Sequence, residues 1–243
     1  MSTKAVAILC GGRGTRLREH TEAIPKALVE IGGRPILWHV ISIYAAQGFE
    51  RFLLCTGYKG ELIQSWVDDV TWPEGVEVSC VDTGLGTPTG GRIKLLEERL
   101  EGEPFCATYA DGVADIDLEA LLRAHDDGGA LATVTVVRPT LQFGIADLGN
   151  DGEVRGFHEK PRLDSWINGG FFCFEPGVFA YLEPDSILER EPLERLAATG
   201  ELRAYRHGGF WDCMDTYKDA VMLNDLWETG DPPWRVWSEE QVA

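Results

Sequence analysis

Residues 5–17 read Ala-Val-Ala-Ile-Leu-Cys-Gly-Gly-Arg-Gly-Thr-Arg-Leu, an apolar run followed at once by a glycine-rich turn with two arginines. The apolar run predicts a buried strand. Glycines let the backbone approach a ligand closely and turn its N–H groups toward it, and the arginines add positive charge. Pro25 fixes the backbone directly before another cation, Lys26. The stretch therefore predicts a strand that ends in a phosphate-binding loop.

Two better-known phosphate loops do not match this turn. A P-loop needs Gly-Lys followed by Ser or Thr, and the turn has no such sequence. A dinucleotide-binding fingerprint that starts at Gly12 needs a third glycine where this chain has Leu17. These mismatches argue against a P-loop nucleoside triphosphatase and against a nicotinamide-dependent oxidoreductase.

The first half of the chain alternates short apolar runs with segments of helical periodicity. Strands are predicted at residues 5–9, 52–56, 76–81 and 105–109, and helices at 36–47, 61–69, 92–100 and 117–126. This order predicts a Rossmann-like α/β fold, a mostly parallel sheet flanked by helices. Such sheets bind ligands beyond the carboxyl ends of their strands, where residues 11–14 fall.

The second half is richer in strands. Residues 131–137, 153–159 and 166–175 are strand-like, Asp151-Gly152 predicts a hairpin turn, and helical periodicity returns at 186–199 and 217–229. We therefore expect a mixed, β-rich region at the far edge of the sheet, which carries substrate recognition and is not an independent domain.

The chain is strongly acidic, but its N-terminal part is not. The 243 residues contain 40 Asp and Glu against 22 Lys and Arg, a formal net charge of −18, whereas residues 1–40 contain six Lys or Arg and three acids. The acidic charge favours solubility and repels nucleic acid and anionic membranes. We therefore expect a small phosphate ligand, with neither nucleic acid nor membrane as a partner.

The six cysteines are scattered, with no Cys-x-x-Cys pair, and most lie in apolar runs such as 52–55. This pattern favours reduced, buried thiols over disulfides or zinc, and so a cytoplasmic location. The sequence has no run of about 20 apolar residues that could span a membrane. We also expect no secretion signal at residues 1–9.

Ordered motifs extend the pattern over nearly the whole chain. They are Gly-Gly-Arg-Gly-Thr-Arg-Leu (11–17), Pro-Lys (25–26), Gly-Arg-Pro-Ile-Leu-Trp-His (33–39), Gly-Tyr-Lys-Gly (57–60), Val-Asp-Thr-Gly (81–84), Thr-Gly-Gly-Arg (89–92), Asp-Gly-Val-Ala-Asp (111–115), Glu-Lys-Pro (159–161), Ile-Asn-Gly-Gly-Phe-Phe (167–172), Phe-Trp (210–211) and Met-Asp-Thr (214–216). In these motifs the chain resembles the sugar-1-phosphate nucleotidylyltransferases, and among them the glucose-1-phosphate cytidylyltransferases.

The resemblance implies a fold of the nucleotide-diphospho-sugar transferase type. A single nucleotidyltransferase domain would cover residues 1–243, with a nucleotide-binding half at 1–130, a sugar-phosphate-binding half at 131–237 and a tail at 238–243. It also implies the reaction: an oxygen of a sugar-1-phosphate attacks the α-phosphorus of a nucleoside triphosphate, giving a nucleotide sugar and pyrophosphate. The substrates would be CTP and glucose-1-phosphate, the cofactor Mg²⁺, and the assembly a homo-oligomer. Because a phosphate monoester with a second pKa near ~6 is mostly dianionic at pH 7, no general base is needed.

The resemblance further implies a set of site residues. Catalysis falls to Arg16, on the leaving pyrophosphate, Lys26, near the phosphates of both substrates, and Asp111. Two carboxylates would hold Mg²⁺, namely Asp111 and Asp215. The nucleotide would be bound by Leu9, Gly11, Gly12, Gly14, Thr15, Thr87, Thr89, Gly90 and Arg92. The sugar phosphate would be bound by Gly144, Glu159, Lys160, Asn168 and Gly169.

Three departures from the cytidylyltransferase pattern leave alternatives open. Ala110 stands where a glycine is usual, the segment 61–80 is short, and residues 138–144 replace a more usual Pro/Gly/Arg run. One alternative keeps the reaction with UTP, dTTP or GTP, or with another sugar-1-phosphate such as a heptose phosphate. Another is a catalytically silent nucleotide-sugar-binding protein, although a sensor has no need to retain both Asp111 and Asp215.

Overall fold

A computed structural model describes residues 5–14, 23–100 and 102–238. Its strands in chain order are β1 (Ala5–Leu9), β2 (Glu30–Ile31), β3 (Arg34–Pro35), β4 (Arg51–Thr56), β5 (Glu77–Asp82), β6 (Phe105–Tyr109), β7 (Gly112–Ala114), β8 (Ala132–Val137), β9 (Ile145–Leu148), β10 (Val154–His158), β11 (Ile167–Phe174), β12 (Leu202–Arg206) and β13 (Trp211–Cys213). The α-helices are α1 (Ile36–Ala45), α2 (Gly60–Asp69), α3 (Thr89–Lys94), α4 (Leu118–Gly128), α5 (Glu191–Ala198) and α6 (Tyr217–Glu228). Short 3₁₀ turns lie at Lys26–Leu28, Glu98–Leu100 and Pro176–Tyr181.

Seven strands form the central sheet in the order β12-β8-β11-β6-β1-β4-β5. The pairs of β1 with β4 and β6, of β4 with β5, and of β8 with β12 are parallel, whereas β11 is antiparallel to both β6 and β8. The predicted mostly parallel sheet with flanking helices is confirmed. The sheet takes strands from both predicted halves of the chain, and the division into halves stays a prediction.

The two faces of the sheet are covered by separate buried clusters. One cluster packs Ile8 and Phe52 with the buried helix α1, and the other packs Ala7 and Phe105 with Leu196 of α5. Strands buried on both faces read as continuous apolar runs, which is why the first strands were visible in the sequence. This packing fixes the carboxyl end of β1, from which the glycine-rich turn starts.

Two predicted helices differ from those observed. The helix predicted at 92–100 is α3, which begins three residues earlier and is followed by a separate 3₁₀ turn. The helix predicted at 186–199 begins only at Glu191, because residues 184–188 pack against the glycines of α3 instead of coiling. Ser186 O accepts the N–H of Gly91 at 3.0 Å, and a Cβ on Gly91 would lie 2.1 Å from Pro184 O.

A bulge interrupts β11, which lies between β8 and β6 in the sheet. The register with β8 shifts between Asn168 and Phe172, and Gly170 and Phe171 have φ values of +75° and +48°. A left-handed aromatic residue is strained, and such strain persists only where packing enforces it. Phe171 is fully buried and stacks on Tyr44 at 5.7 Å between ring centroids. The bulge positions Asn168, whose Oδ1 accepts the N–H of Gly170 at 2.8 Å.

The C-terminal part of the described chain is anchored by tryptophans around α1. Trp234 is fully buried, stacks on Phe210 and donates its indole N–H to His39 Nδ1 at 3.4 Å. His39 is also fully buried, and its Nε2 lies 2.9 Å from Ile31 O. The contact between Trp234 and His39 joins residues 195 positions apart.

The six cysteines are free thiols, four buried and two half-buried. Cys106 and Cys173, on the adjacent strands β6 and β11, have sulfur atoms 3.6 Å apart. Among the helices described, none has the length and apolar character that crossing a membrane requires.

Candidate active site

A cavity of about 660 Å³ opens at the carboxyl ends of β1 and β6. This is where a mostly parallel sheet is expected to bind a ligand. Its lining consists of Leu9, Cys10, Gly12, Gly14, Lys26, Ala27, Tyr109, Ala110, Asp111, Ile167, Asn168, Glu189, Trp211, Cys213 and Asp215. The volume suits a small molecule rather than a polymer.

One ammonium group and two carboxylates meet in this cavity. Lys26 Nζ donates to Asp111 Oδ2, and it lies 2.7 Å from Asp215 Oδ1. The Lys26 and Asp111 side chains are 15% and 24% exposed, so this contact is largely shielded from solvent. The sequence predicted all three as site residues, and the structure brings them together.

Local structure explains how these distant residues converge. Lys26 opens a 3₁₀ turn after Pro25, whose φ is −66°. Asp111 follows β6, and Asp215 follows β13, which pairs with β7 so that Cys213 lies opposite Gly112. The N–H of Met214 donates to Asp111 O at 2.9 Å. The β7–β13 ribbon therefore holds the two carboxylates beside each other.

The electrostatics of the group are dominated by its two negative charges. Burial alone lowers the pKa of Lys26, but the carboxylates of Asp111 and Asp215 outweigh burial and raise the pKa above its ordinary value. Burial, and then the same two carboxylates, raise the pKa of the Cys213 thiol to about 12. Lys26 is therefore a cation and Cys213 a neutral thiol at pH 7.

The carboxylate pair fits a magnesium ion. Both carboxylates reach the same ammonium nitrogen, so they can approach a single cation. Mg²⁺ is commonly held by one or two carboxylates, with substrate phosphates and water as its other ligands. Among residues 5–14, 23–100 and 102–238, no group of three or more His, Cys, Asp or Glu could hold a metal by itself. The site thus suits an ion that arrives with a phosphate ligand.

One side of the glycine-rich turn faces the cavity, and the other side packs against Arg92. Leu9, Gly12 and Gly14 line the cavity, and Gly14 has a φ of +58°. Gly11 lies behind them, where its carbonyl accepts the Arg92 guanidinium at 3.0 Å. A Cβ on Gly11 would lie 2.1 Å from that guanidinium. Thr15 and Arg16, which were predicted in the same turn, lie outside the described residues.

Arg92 does not line the cavity. Its side chain is 4% exposed, and its guanidinium also donates to Thr56 O at 2.8 Å and to Thr83 Oγ1. The structure therefore places Arg92 beneath the turn, where it supports Gly11, and its predicted place around the base and ribose stays a prediction. The donors of its guanidinium are bonded to protein groups, and the motif alone could not reveal these bonds.

The other residues predicted around the base and ribose also make internal contacts. Thr87 donates its hydroxyl to Thr83 O, and Thr89 donates its hydroxyl to Glu189. Gly90 is buried, and a Cβ there would lie 2.8 Å from Ser186 O. The structure places Gly90 at a packing contact between α3 and the 184–188 segment, outside the cavity lining.

Sequence reasoning missed Glu189 and Tyr109, which line the cavity beside Asn168. Tyr109 donates its hydroxyl to Glu189 Oε1 at 2.5 Å and accepts the Asn168 amide at 3.1 Å. Burial, and then the Glu189 carboxylate, raise the pKa of Tyr109, so its hydroxyl stays protonated. A motif could not flag this group, because its members lie 59 and 80 residues apart in the chain.

The predicted sugar-phosphate residues fall in three places. Asn168 lines the main cavity, and the Gly169 carbonyl accepts the Trp211 indole N–H at 2.8 Å. Lys160, with φ +46°, lines a neighbouring cavity of about 590 Å³ on the other side of Trp211. Gly144 and Glu159 flank the β9–β10 hairpin, where a Cβ on Gly144 would lie 2.9 Å from Glu159 Oε2. We call Lys26, Asp111 and Asp215 the Lys26 group. Of the predicted sugar-phosphate residues, only Asn168 lines the same cavity as this group among the residues described.

A third cavity, of about 700 Å³, lies between the 3₁₀ turn at Lys26–Leu28 and α6. Its walls are mainly apolar, with Ile24, Leu28, Trp66 and Val221 among them. It contains neither the ammonium nor the paired carboxylates, so the 660 Å³ cavity is the candidate active site.

A glycine-rich turn after a parallel strand, facing an ammonium and two carboxylates that fit a divalent cation, is the arrangement of a phosphate-handling α/β enzyme. Comparison with known proteins specifies the class further. The profile of the family described as "Nucleotidyl transferase" matches residues 5–211, and the chain belongs to this family.

Curated relatives share much of the sequence. The glucose-1-phosphate cytidylyltransferase of Salmonella typhimurium (strain LT2) is 44% identical over 257 aligned positions, which cover 96% of this chain and 99% of the relative. Mannose-1-phosphate guanylyltransferase 1 of Arabidopsis thaliana is 31% identical over 224 positions, covering 88% of this chain and 62% of that protein. The first alignment is longer than the 243-residue chain, so the Salmonella protein has residues that this chain lacks.

A solved structure shows the same fold. HddC from Yersinia pseudotuberculosis complexed with GMP-PN superposes with a TM-score of 0.73 at 23% identity, over 93% of this chain and 100% of that one. At this identity the likeness bears on the fold, which agrees with the fold class predicted from the sequence.

Proposed function

We propose that this chain transfers a cytidylyl group from CTP to glucose-1-phosphate, giving CDP-glucose and pyrophosphate, with Mg²⁺ held by Asp111 and Asp215. The observation that carries the proposal is the convergence of Lys26, Asp111 and Asp215 beside the glycine-rich turn. The choice of CTP and glucose-1-phosphate is supported by the name of the Salmonella relative at 44% identity.

The residues of the site suit a reaction that needs positioning and charge neutralisation. Lys26 has three ammonium donors, of which two are directed at carboxylates, and the third is available for a phosphate oxygen. Gly12 and Gly14 have no side chains, so the backbone at these two positions can approach the triphosphate closely. Bound Mg²⁺ would supply the additional positive charge that phosphoryl chemistry demands.

The reaction needs no general base. The described lining contains no histidine, the two Asp carboxylates contact Lys26, and the Glu189 carboxylate accepts hydrogen bonds from Tyr109 and Thr89. A sugar-1-phosphate is mostly dianionic at pH 7 and can attack phosphorus without losing a proton. Rate enhancement would come from holding the attacking oxygen and the α-phosphorus in line, with their negative charge neutralised.

We also propose that the enzyme acts in the cytoplasm as a homo-oligomer. The six free thiols support a reducing compartment. The β9–β10 hairpin exposes Leu148 and Phe157 to 67% and 64%, a type of surface that often marks an interface. Sedimentation velocity tests the assembly directly.

The metal site is tested with Asp111→Asn and Asp215→Asn, assayed by pyrophosphate release from CTP and glucose-1-phosphate over a Mg²⁺ titration. We expect each variant to lose roughly 100-fold or more in kcat, because one carboxylate ligand is removed while the shape is kept. Asp127→Asn, at an exposed position of α4, is the matched control and should behave as the wild type. Full activity of Asp111→Asn would contradict the metal assignment.

A further inference from the structure

We propose that Glu189 is a specificity-determining residue that accepts hydrogen bonds from neighbouring hydroxyl groups of a substrate, an inference that rests on the proposed function. No motif contains Glu189, yet its side chain lies in the wall of the cavity that holds Lys26 and Asp111. It is exposed toward that space and has no ion-pair partner among the described residues.

Two hydroxyl groups hold the Glu189 carboxylate in place. Tyr109 donates to Oε1 at 2.5 Å, and Thr89 donates to Oε2 at 2.6 Å. Thr89 is itself fixed, because its oxygen accepts the N–H of Leu188 at 2.9 Å. Tyr109 is fixed by the amide of Asn168 at 3.1 Å. Each carboxylate oxygen of Glu189 is therefore held by a hydroxyl donor, and each donor is itself held by a further hydrogen bond.

The backbone brings Glu189 to this place through the glycines of α3. A Cβ on Gly90 would lie 2.9 Å from the Ser186 side chain, and one on Gly91 would lie 2.1 Å from Pro184 O. Only a residue without a side chain permits this approach. The close packing carries the segment before α5 to the mouth of the cavity, and Glu189 is its cavity-lining residue.

The remaining capacity of the carboxylate defines the ligand. An ionised carboxylate has about four acceptor sites on its two oxygens. Tyr109 and Thr89 occupy two of them, so each oxygen keeps acceptor capacity. Two acceptors on one planar group match two donors on adjacent carbons, which is the pattern of a vicinal diol. Asp111 and Asp215 have the Lys26 ammonium beside them and would hold Mg²⁺, so phosphates are expected there. Glu189 has no such cation among the described residues, so its negative charge repels phosphate and the carboxylate marks the uncharged part of the ligand.

Two parts of the proposed substrates carry vicinal diols, the ribose of CTP and the ring of glucose-1-phosphate. A site built to bond a hydroxyl rejects an analogue that lacks it, because its own polar group is left unpaired. The wild type should therefore lose roughly tenfold or more in kcat/KM with one set of deoxy analogues. The analogues that show the loss identify which substrate contacts Glu189.

The experiment compares wild type and Glu189→Gln with CTP against its 2′-deoxy and 3′-deoxy forms, and with glucose-1-phosphate against its monodeoxy forms. Glu189→Gln should raise KM for the diol substrate roughly tenfold or more and reduce the preference for its hydroxyls to within about twofold. KM for the second substrate should stay near the wild-type value. Glu191→Gln, which removes an exposed carboxylate paired with Arg195, is the matched control.

The variant Tyr109→Phe tests whether Glu189 contacts the substrate itself or only positions Tyr109. It removes the hydroxyl that bonds Glu189 but leaves the carboxylate in the cavity wall. If Glu189 contacts the diol, Tyr109→Phe retains the discrimination against deoxy substrates and Glu189→Gln loses it. If Glu189 only positions Tyr109, the two variants have the same effect, and the proposal is overturned. Unchanged discrimination in Glu189→Gln overturns it as well.

Failure of this proposal can be told from failure of the proposed function. If the wild type releases no pyrophosphate with any pair, the proposed function is wrong. Calorimetric binding of the same hydroxyl and deoxy ligands with Mg²⁺ then tests Glu189 independently. Loss of the hydroxyl preference in Glu189→Gln supports the assignment, and an unchanged preference or equal binding by wild type contradicts it.

Discussion

At the scale of single residues, the site combines groups that motifs identify with groups that only the fold brings together. Lys26 and Asp111 were predictable because each stands in a short ordered motif, and the structure places them in contact. Their roles in catalysis stay predictions. Glu189 was not predictable, because its partners Tyr109 and Thr89 lie 80 and 100 residues away and no local pattern encodes them. The same limit explains Arg92, whose burial beneath Gly11 depends on long-range packing.

A buried histidine gives the stability of the protein a specific pH dependence. Burial lowers the pKa of His39 from 6.5 to about 4, although the Ile31 carbonyl acts in the opposite direction. The unfolded chain therefore binds more protons than the folded one between these values. His39 contributes stability above pH 6.5 that is lost as the pH falls toward 4, on the order of 3 kcal/mol in total.

We predict that urea midpoints measured from pH 7 to pH 4.5 fall less steeply for His39→Gln than for the wild type. Glutamine does not titrate in this window, and its amide can still donate to Ile31 O. His158→Gln is the control, since His158 is 64% exposed. Parallel pH profiles for His39→Gln and wild type would contradict this assignment.

At the scale of elements, periodicity located most strands and helices but misplaced two helix starts. Thr89-Gly90-Gly91 has weak helical propensity, so the predicted helix began at Arg92, whereas packing against 184–188 extends α3 back to Thr89. The bulge in β11 was equally hidden, because nothing in the residues around Phe171 alone requires a left-handed aromatic residue. Tertiary packing decided each of these cases.

The contact between α3 and the 184–188 segment leads to a prediction. Gly91→Ala should destabilise the protein by roughly 1–3 kcal/mol, because the new Cβ would lie 2.1 Å from Pro184 O. It should also lower kcat/KM, because displacement of the segment moves Glu189. Chemical denaturation and pyrophosphate release measure the two effects.

Gly86→Ala is the control for Gly91→Ala. A Cβ on Gly86 meets no atom within 4 Å among the described residues, and its backbone is not left-handed. Its stability and activity should stay close to the wild-type values. If Gly91→Ala were as stable and active as Gly86→Ala, the contact with Pro184 would not position the cavity wall.

At the scale of the whole molecule, the alternation of strands and helices was enough to predict a mostly parallel sheet. The strand-rich second half also predicted a mixed region, but periodicity could not identify β11 as the antiparallel strand or place it between β6 and β8, because strand direction depends on connections that periodicity does not encode. The cavity of about 660 Å³ is likewise a property of the assembled chain, since its lining extends from Leu9 to Asp215.

The net charge of −18 leads to a prediction about assembly. Copies of an acidic chain repel each other, so a homo-oligomer must be held by apolar contacts, and salt should strengthen it by screening the repulsion. In sedimentation velocity, Leu148→Ser with Phe157→Ser should shift the proposed homo-oligomer toward monomer at both about 50 mM and about 500 mM NaCl. Leu85→Ser, at a 53% exposed position outside the hairpin, is the control. A monomeric wild type would contradict the assembly, and an unaffected double variant would contradict the role of the hairpin.

The most direct test of the central claim is a ³¹P NMR time course of the wild-type protein with CTP, glucose-1-phosphate and Mg²⁺. The Lys26–Asp111–Asp215 site predicts equal loss of both substrates, with equal appearance of a nucleotide-sugar diphosphate and pyrophosphate, and no reaction without a divalent metal. If turnover occurred only with a different nucleoside triphosphate or a different sugar phosphate, the proposed reaction would stand and the proposed substrates would be wrong. Absence of any nucleotide sugar across all substrate pairs, from folded protein that binds nucleotide, would contradict the claim.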